Sequence, residues 1–256
     1  MDKKRIILLC DSSELSEVVY NYIDELYGID YVIVDNAVSK STMIKRRAKK
    51  LGWLKVIGQL LFILLVSKPL SLCSRGRIQQ ILSENGLSNK PIPEEKRMCG
   101  YSINDEQVIQ KLKELNPDLI LVNGTRIISK KVLQSVTCSF INMHVGITPK
   151  YRGVHGMYWA LVNRDYENCG VTVHYIDEHI DTGDVIYQAT VTGTPKDNFC
   201  TYPYLQVCEG ARLFAKAIED YFSGRIKTID GTAESHLWSH PTLWQYLRFR
   251  IGRGVK

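Results

Sequence analysis

The stretch Phe140-Ile141-Asn142-Met143-His144 decides the fold and the site predicted for this chain. A strand is predicted over residues 138–142, and Asn142 and His144 lie where that strand ends. Side chains two residues apart on a strand point to the same face, so both can contact one substrate atom. An amide and an imidazole can together stabilise a developing oxyanion. Taken alone, such a pair is more often hydrogen-bonded within the protein, so the neighbouring motifs must decide between the two interpretations.

Three polar motifs follow this strand and supply further groups that an acyl-transfer site needs. Asp181, in an Asp-Thr-Gly turn, is a carboxylate that can orient His144 and receive a proton. With Asn142 holding the oxyanion, this set predicts acyl transfer to an amine. The three motifs are Thr148-Pro149-Lys150-Tyr151-Arg152-Gly153, Gly170-Val171-Thr172-Val173-His174 and Asp177-Glu178-His179-Ile180-Asp181-Thr182-Gly183.

The chain before this stretch predicts an open α/β sheet. Residues 5–11 form an apolar strand, residues 14–23 have a helical pattern after a serine turn, and residues 31–35 form a second strand. This succession is a βαβ unit, whose two strands run in parallel. Residues 119–122 are wholly apolar, as a central parallel strand is, and Asn123-Gly124-Thr125-Arg126 follows at its carboxyl end, where such sheets bind ligands. We therefore predict a Rossmann-like, doubly wound, mostly parallel sheet.

The remaining segments extend this pattern to residue 224. We predict strands over 97–101, 171–176 and 185–191, and helices over 106–115, 129–134 and 201–222. The predicted catalytic domain covers 1–224, and an aromatic and basic extension covers 225–256. Interleaved aromatic and basic residues can bind single-stranded nucleic acid, but such a tail more often packs on its own domain or on a second subunit.

A basic and apolar segment over 41–84 is inserted in the predicted domain. Basic residues over 45–50 precede an apolar helix, which we predict Pro69 to break, so that its uncharged part is too short to span a bilayer. The favoured interpretation is a core helix or a dimer-interface helix. The alternative is a helix on an anionic membrane surface, in contact through Trp53, Leu54 and Phe62.

The composition is that of a globular protein with a mild preference for anions. The chain has 256 residues, 45% of them apolar, and a formal net charge of +6. Its seven cysteines are an odd number without metal-ligand spacing, so we expect reduced thiols. The N-terminal apolar run is too short for a signal peptide. These features predict a cytoplasmic protein with anionic partners, which are phosphorylated or nucleotide-linked substrates, nucleic acid or a negatively charged membrane face.

Together, the motifs at 142–144, 149–153, 170–174 and 177–183 resemble, in order and spacing, the formyltransferases that use 10-formyltetrahydrofolate. This family includes glycinamide ribonucleotide transformylase, methionyl-tRNA formyltransferase and the amino-sugar N-formyltransferases. The resemblance is strongest over 119–187. It implies the formyltransferase fold and 10-formyltetrahydrofolate as co-substrate, and it implies no metal.

The resemblance also implies roles for individual residues. Asn142, His144 and Asp181 match the catalytic triad of the family. Thr172 matches a hydroxyl that supports a bound water or the aspartate, and His174 matches a structural histidine. The segment Arg126, Ile127 and Ile128 matches a backbone that lines the pterin pocket, and Glu178, His179 and Ile180 match a loop that closes over the pterin. Pro149 matches a proline that is cis in some relatives.

Differences between this sequence and the better-known family members reduce the number of acceptors that it is expected to use. Cys10-Asp11-Ser12-Ser13-Glu14 has an acid pair and no glycine where the purine enzyme has a phosphate loop, so a phosphate is not expected there. The usual Asn-x-His-Pro-Ser is replaced by Asn142-Met143-His144-Val145-Gly146. The transfer-RNA enzyme has an extra C-terminal domain, and few residues follow Gly224. Elimination favours the amino-sugar branch, whose acceptor side would be formed by Tyr151, Arg152, Gly153, His155, Tyr158 and Trp159.

We therefore predict an N-formyltransferase that acts on the primary amine of an amino sugar, expected to be nucleotide-linked, in surface polysaccharide synthesis. The partner is a small molecule rather than nucleic acid. A homodimer and peripheral membrane contact through 45–66 are further expectations. The alternatives are a phosphoribosylglycinamide formyltransferase of purine synthesis and a non-catalytic folate-fold scaffold at a membrane surface.

Overall fold

The fold is built around a central β-sheet. The computed structural model describes residues 3–36, 39–177, 183–229 and 234–256 of the chain. Nine strands lie in these ranges: β1 (Ile6–Cys10), β2 (Tyr31–Val34), β3 (Arg97–Met98), β4 (Leu119–Asn123), β5 (Phe140–His144), β6 (Arg152–Gly153), β7 (Gly170–Tyr175), β8 (Val185–Thr190) and β9 (Leu237–Trp238). Seven of the described strands form one sheet in the order β3-β2-β1-β4-β5-β7-β8, and β6 pairs with β9 in a second sheet.

The large sheet is parallel over most of its width. Strand β1 pairs in parallel with β2 and β4, β2 with β3, and β4 with β5. The last two strands reverse direction, because β7 runs antiparallel to β5 and β8 antiparallel to β7. The predicted Rossmann-like, doubly wound, mostly parallel sheet is confirmed. The strand predicted over 97–101 is shorter than expected, at Arg97–Met98.

Helices alternate with these strands along the chain. Ser13 begins the first helix as predicted, since its hydroxyl accepts a hydrogen bond from the Ser16 N–H and satisfies one of the unpaired donors at the helix start. The helices are α1 (Glu14–Tyr27), α2 (Lys40–Leu51), α3 (Trp53–Phe62), α4 (Lys68–Glu84), α5 (Glu106–Leu115), α6 (Lys130–Leu133), α7 (Gly156–Val162), α8 (Tyr202–Phe222) and α9 (Leu243–Arg253).

The sheet is buried on both faces, which explains its nearly continuous apolar strands. In β1, Leu8 belongs to the same buried cluster as Phe214 of α8, and its neighbour Leu9 belongs to the cluster that contains Leu112 of α5. Alternate side chains of one strand therefore enter two different cores, as expected for a central parallel strand. The carboxyl ends of β4 and β5 meet at one edge of this sheet.

The inserted segment at 41–84 differs from its prediction. The prediction that Pro69 breaks the helix is wrong, because α3 continues through a π-helical turn at Ile63–Ser67 into α4. Pro69 lies two residues after this π-helical turn, at the beginning of α4. The resulting run, Trp53–Glu84, has 32 residues and a mean hydropathy of 1.9 in its apolar window, so by length and composition alone it could cross a membrane.

One face of this long helix packs on the rest of the chain. Phe62 is fully buried, and its ring lies 4.9 Å from that of Phe199 and 5.1 Å from that of Tyr246. Farther along, Arg77 Nε donates to the buried carboxylate of Asp197 over 2.9 Å. The segment is therefore attached to the body by ring contacts and by an ion pair.

The C-terminal tail also folds back onto the chain. Strand β9 pairs with β6, and α9 packs along α3, where Trp244 covers Gly58. Packing on its own chain was one of the alternatives predicted for this tail. The boundary between a catalytic domain over 1–224 and an extension over 225–256 stays a prediction.

Candidate functional site

A cavity of about 550 Å³ opens at the carboxyl ends of β4 and β5, the edge at which the sequence predicts ligand binding. Both Asn142 and His144 lie on its wall, in agreement with the alternation of side chains along β5. Other polar groups reach it from the β1–α1 turn, the end of β4, the turn after β7 and the tail. They include Asp11, Asn123, His155, Asp177 and His240.

The amide of Asn142 is oriented by the neighbouring strand. The β5–β7 register sets Asn142 opposite His174, and Asn142 Nδ2 donates to His174 Nε2 over 3.0 Å. His174 Nδ1 lies 2.7 Å from Tyr175 O, so we assign the ring proton to Nδ1 and the acceptor role to Nε2. The second N–H of the Asn142 amide can donate to a ligand oxygen. His174, predicted to be structural, thus orients the amide.

The ring of His144 is fixed by the loop that follows it. His144 is buried, and its Nε2 donates to Tyr151 O over 3.0 Å. This close approach requires glycine at position 146, because a Cβ there would lie 2.4 Å from Tyr151 O and 3.0 Å from His144 Nε2. The ring is thus held in one orientation, with Nε2 as the donor in this contact.

Thr172, which lies on β7, forms hydrogen bonds with the same loop after His144. Its hydroxyl donates to Gly146 O over 2.8 Å and accepts from Thr148 N over 3.0 Å. Gln188 Nε2 adds a hydrogen bond of 2.7 Å to Thr148 O, and the bond between Thr148 and Pro149 is cis. Thr172 is fully buried behind the cavity wall. The structure therefore places its hydroxyl in support of the loop.

Asp11 occupies the region at the start of α1. Its Oδ1 accepts from Ser13 N over 3.1 Å, from Ser13 Oγ over 2.5 Å and from Ser16 Oγ over 2.6 Å. A carboxylate is favourable at this positive end of the helix dipole. Because an internal anion already lies there, a phosphate would meet a negative charge, which agrees with the expectation from the sequence.

The segment predicted to line a pterin pocket, Arg126 to Ile128, lies along the cavity. Asp35 accepts from Arg126 N over 3.2 Å and from Arg126 Nε over 2.8 Å. Asn104 Nδ2 donates to Ile127 O over 2.9 Å. These backbone groups of Arg126 and Ile127 are thus used inside the protein, while the buried side chain of Ile128 supplies an apolar wall.

The residues predicted on the acceptor side divide into two groups. Gly153 and His155 line the cavity. Tyr151, Tyr158 and Trp159 do not, because their rings are buried in an aromatic cluster with the C-terminal tail.

Individual contacts explain this second group. Trp159 Nε1 donates to Ser239 O over 3.0 Å, and the Tyr158 ring packs 5.1 Å from that of Phe199. Arg152 contributes its backbone to the pairing of β6 with β9. Trp159 and the backbone of Arg152 thus contact the tail, and the predicted role of this second group as acceptor contacts stays a prediction.

His240 is a cavity residue that the sequence did not identify. It comes from the tail, and its Nδ1 lies 3.0 Å from His155 Nε2, one ring donating to the other. Burial lowers the pKa of His240 to about 4, with the nearby Arg47 guanidinium acting in the same direction. Burial, together with His240, also holds the pKa of His155 well below its usual value. Nothing in the local sequence indicates that the tail returns to this cavity.

Four predicted site residues lie outside the described residues: Glu178, His179, Ile180 and Asp181. The catalytic carboxylate and the loop over the pterin therefore stay predictions. The described Asp177, just before them, lines the cavity. Within the described ranges, no group of three His, Cys, Asp or Glu side chains is arranged to hold a metal ion.

Comparison with known proteins assigns the family. Residues 63–203, more than half of the 256-residue chain, match the model of the formyl transferase family. The chain belongs to the formyl transferase family. The match begins within the long helical run and extends well before residues 119–187, where the sequence resemblance is strongest.

The names of the similar proteins specify different formyl acceptors. The chain is 33% identical to a methionyl-tRNA formyltransferase of Thermodesulfovibrio yellowstonii over 57% of its length, and it spans 50% of that relative. A phosphoribosylglycinamide formyltransferase of Streptococcus pneumoniae has a similar fold, with a TM-score of 0.54 and 20% identity over 86% of this chain and 99% of that one. An N-formyltransferase of Helicobacter canadensis, with folinic acid and dTDP-3-aminofucose, has a TM-score of 0.54 and 18% identity over 93% and 71% of the two chains.

The hydroxyl of Thr172 is expected to stabilise the loop beside His144. Thr172→Val keeps the shape of the side chain but leaves the Thr148 N–H and the Gly146 carbonyl without this partner. We expect the free energy of unfolding in urea to fall by about 1–3 kcal/mol. Thr172→Ser should restore most of it. The exposed Thr190→Val, on the adjacent strand, is the control and should change it by less than about 0.5 kcal/mol. Equal effects at both positions would contradict the loop-holding role.

The histidine pair is expected to make stability depend on pH. Both rings are neutral in the folded chain, whereas an unfolded histidine has a pKa of about 6.5. As pH falls from about 6.5 towards 4, the unfolded chain binds protons that the folded chain does not, so the free energy of unfolding decreases. We expect His240→Gln to reduce the slope of the free energy of unfolding against pH by up to about 1.4 kcal/mol per pH unit, measured by urea unfolding.

The exposed His236 provides the control for this measurement. His236→Gln should leave the pH dependence of unfolding close to that of the unmodified chain. Identical slopes for the His240 variant and the unmodified chain would refute the neutral state of the pair.

Proposed function

We propose that this member of the formyl transferase family moves a formyl group from 10-formyltetrahydrofolate to the primary amine of a nucleotide-linked amino sugar. The observation that carries the proposal is the position of Asn142 and His144 side by side on the wall of one cavity. We place the reaction in the cytoplasm and in the synthesis of a surface polysaccharide.

The polar groups on β5 fit the charge changes of formyl transfer. The amine nitrogen bonds to the formyl carbon, the bond from that carbon to the folate nitrogen breaks, and the proton lost by the amine is balanced by the proton that the folate nitrogen gains. Asn142 Nδ2 and the His144 ring are proposed to stabilise the formyl oxygen as it gains negative charge. Asp181 is proposed to take the proton from the amine.

The cavity wall suits a flat, partly apolar donor. Val122, Ile128 and Ile176 supply apolar surface beside the polar groups of Asn142 and His144. A volume of about 550 Å³ lies within the range usual for small-molecule sites. When bound there, 10-formyltetrahydrofolate would supply the activated formyl group. The H. canadensis relative with folinic acid supports the choice of a folate.

The acceptor is proposed from the charge at the start of α1 and from the neutral groups around the cavity. Asp11 disfavours a phosphate in that turn, which weighs against phosphoribosylglycinamide. His155 and His240 are neutral and can exchange hydrogen bonds with sugar hydroxyls, while Asp177 can attract an amine. The H. canadensis relative with dTDP-3-aminofucose supports the same choice.

An acceptor screen tests this proposal. Purified full-length protein is given 10-formyltetrahydrofolate with nucleotide-linked amino sugars, phosphoribosylglycinamide or methionyl-tRNA, and tetrahydrofolate release and the mass of the product are measured. We expect release and formylation with an amino sugar. Preferred formylation of phosphoribosylglycinamide or of methionyl-tRNA, which the curated relatives favour, would overturn the acceptor. No release with any amine would overturn formyl transfer and favour the scaffold alternative.

A further inference from the structure

Helix α3 and the turn after it present an apolar stripe to solvent. Trp53 is 60% exposed, Leu54 75% and Leu64 57%. Ile57, Leu61 and Leu65 lie on the same exposed side. A surface helix normally turns polar residues outward, and a contiguous apolar surface of this kind usually marks a contact site.

The opposite side of α3 is already used by the protein. Phe62 and Val56 are buried, and Gln59 Nε2 donates to His240 O over 2.8 Å. The exposed stripe is therefore a second apolar face on a helix whose first face is attached to the body. This arrangement separates it from an ordinary core helix, which was one of the two interpretations that the sequence favoured, the other being a dimer-interface helix.

Helix α9 extends the apolar surface beside α3. Its Trp244 lies over Gly58, and it is itself 44% exposed. Leu247 and Ile251, one and two turns later, are also exposed. Tryptophan is favoured where an apolar region meets a polar headgroup layer, and Trp53 and Trp244 both contribute to this surface.

The charge around the stripe has one sign. Between Asp35 and Glu84 the sequence contains ten Lys or Arg residues and no Asp or Glu. After Glu234 it contains four Lys or Arg residues and again no acid. Helix α2, which packs on α3, carries the densest group, with exposed side chains such as Arg46, Lys49 and Lys50. Basic residues next to an apolar helix face are the signature of binding to anionic lipid.

We propose that this face, formed by α3 and α9 and bordered by the basic residues of α2, docks on an anionic lipid bilayer with α3 in the plane of the headgroups. A second copy of this chain is a poorer occupant, because a symmetric dimer would set the positive border against itself. A spanning helix would have to withdraw Phe62 and Gln59 from their partners. The proposal goes beyond formyl transfer and does not depend on it.

Vesicle sedimentation of the purified full chain tests this docking. We expect it to sediment with vesicles of phosphatidylcholine and phosphatidylglycerol, weakly with phosphatidylcholine alone, and less at high salt. Leu54→Ser with Leu61→Ser should lower the partition to anionic vesicles about tenfold or more. Lys49→Glu with Lys50→Glu should lower it by a similar factor.

Matched controls lie on other helices. Leu26→Ser changes a leucine of α1 that is 52% exposed, and Lys113→Glu changes an exposed lysine of α5. Both should sediment like the unmodified chain, and all variants should unfold at nearly the same temperature.

Four outcomes would overturn the proposal. The first is equal partition of the stripe variants and their controls, and the second is sedimentation that does not depend on anionic lipid. The third is a dimer that the stripe variants dissociate, without vesicle binding, which would assign the face to a second copy. Vesicle-bound protein that only detergent releases would replace in-plane docking by a spanning helix.

Discussion

The antiparallel pairing of β5 with β7 is the constraint on which the site depends. Its register sets His174 opposite Asn142 and Thr172 opposite His144, so each polar residue of β5 has a polar neighbour on β7. His174 orients the amide, and Thr172 holds the loop whose Tyr151 carbonyl binds the imidazole. A slip of one residue would turn both β5 side chains to the opposite face of the sheet.

Internal acids and the returning tail complete the walls around this pair. Asp11 accepts hydrogen bonds at the start of α1, and Asp35 binds the backbone and the side chain of Arg126. The tail brings His240 to His155, and burial keeps both rings neutral. Asp11 and Asp35 therefore have hydrogen-bond partners within the protein, and the histidine pair adds neutral donors and acceptors to the cavity wall.

The parts that local sequence determines were predicted well. Strands β1, β4 and β5 are apolar because both faces of the sheet are buried, and the spacing of Asn142 and His144 put both on one cavity wall. Long-range packing was not predictable in the same way. Strands β6 and β9 have two residues each, which is too few for an alternating pattern of apolar and polar residues. His240 reaches the cavity only because the tail folds back. Pro69 is tolerated after a π-helical turn that no local sequence motif predicts.

The rate of formyl transfer by His144→Ala, measured with the acceptor found in the screen, tests the role of β5 most directly. Thermal unfolding of the same preparation must show that the variant is folded. We expect a loss of about 10²- to 10⁴-fold in kcat with the fold retained, because the oxyanion loses the imidazole that stabilises it. A folded variant that transfers formyl groups at a nearly normal rate would contradict the assignment of the site.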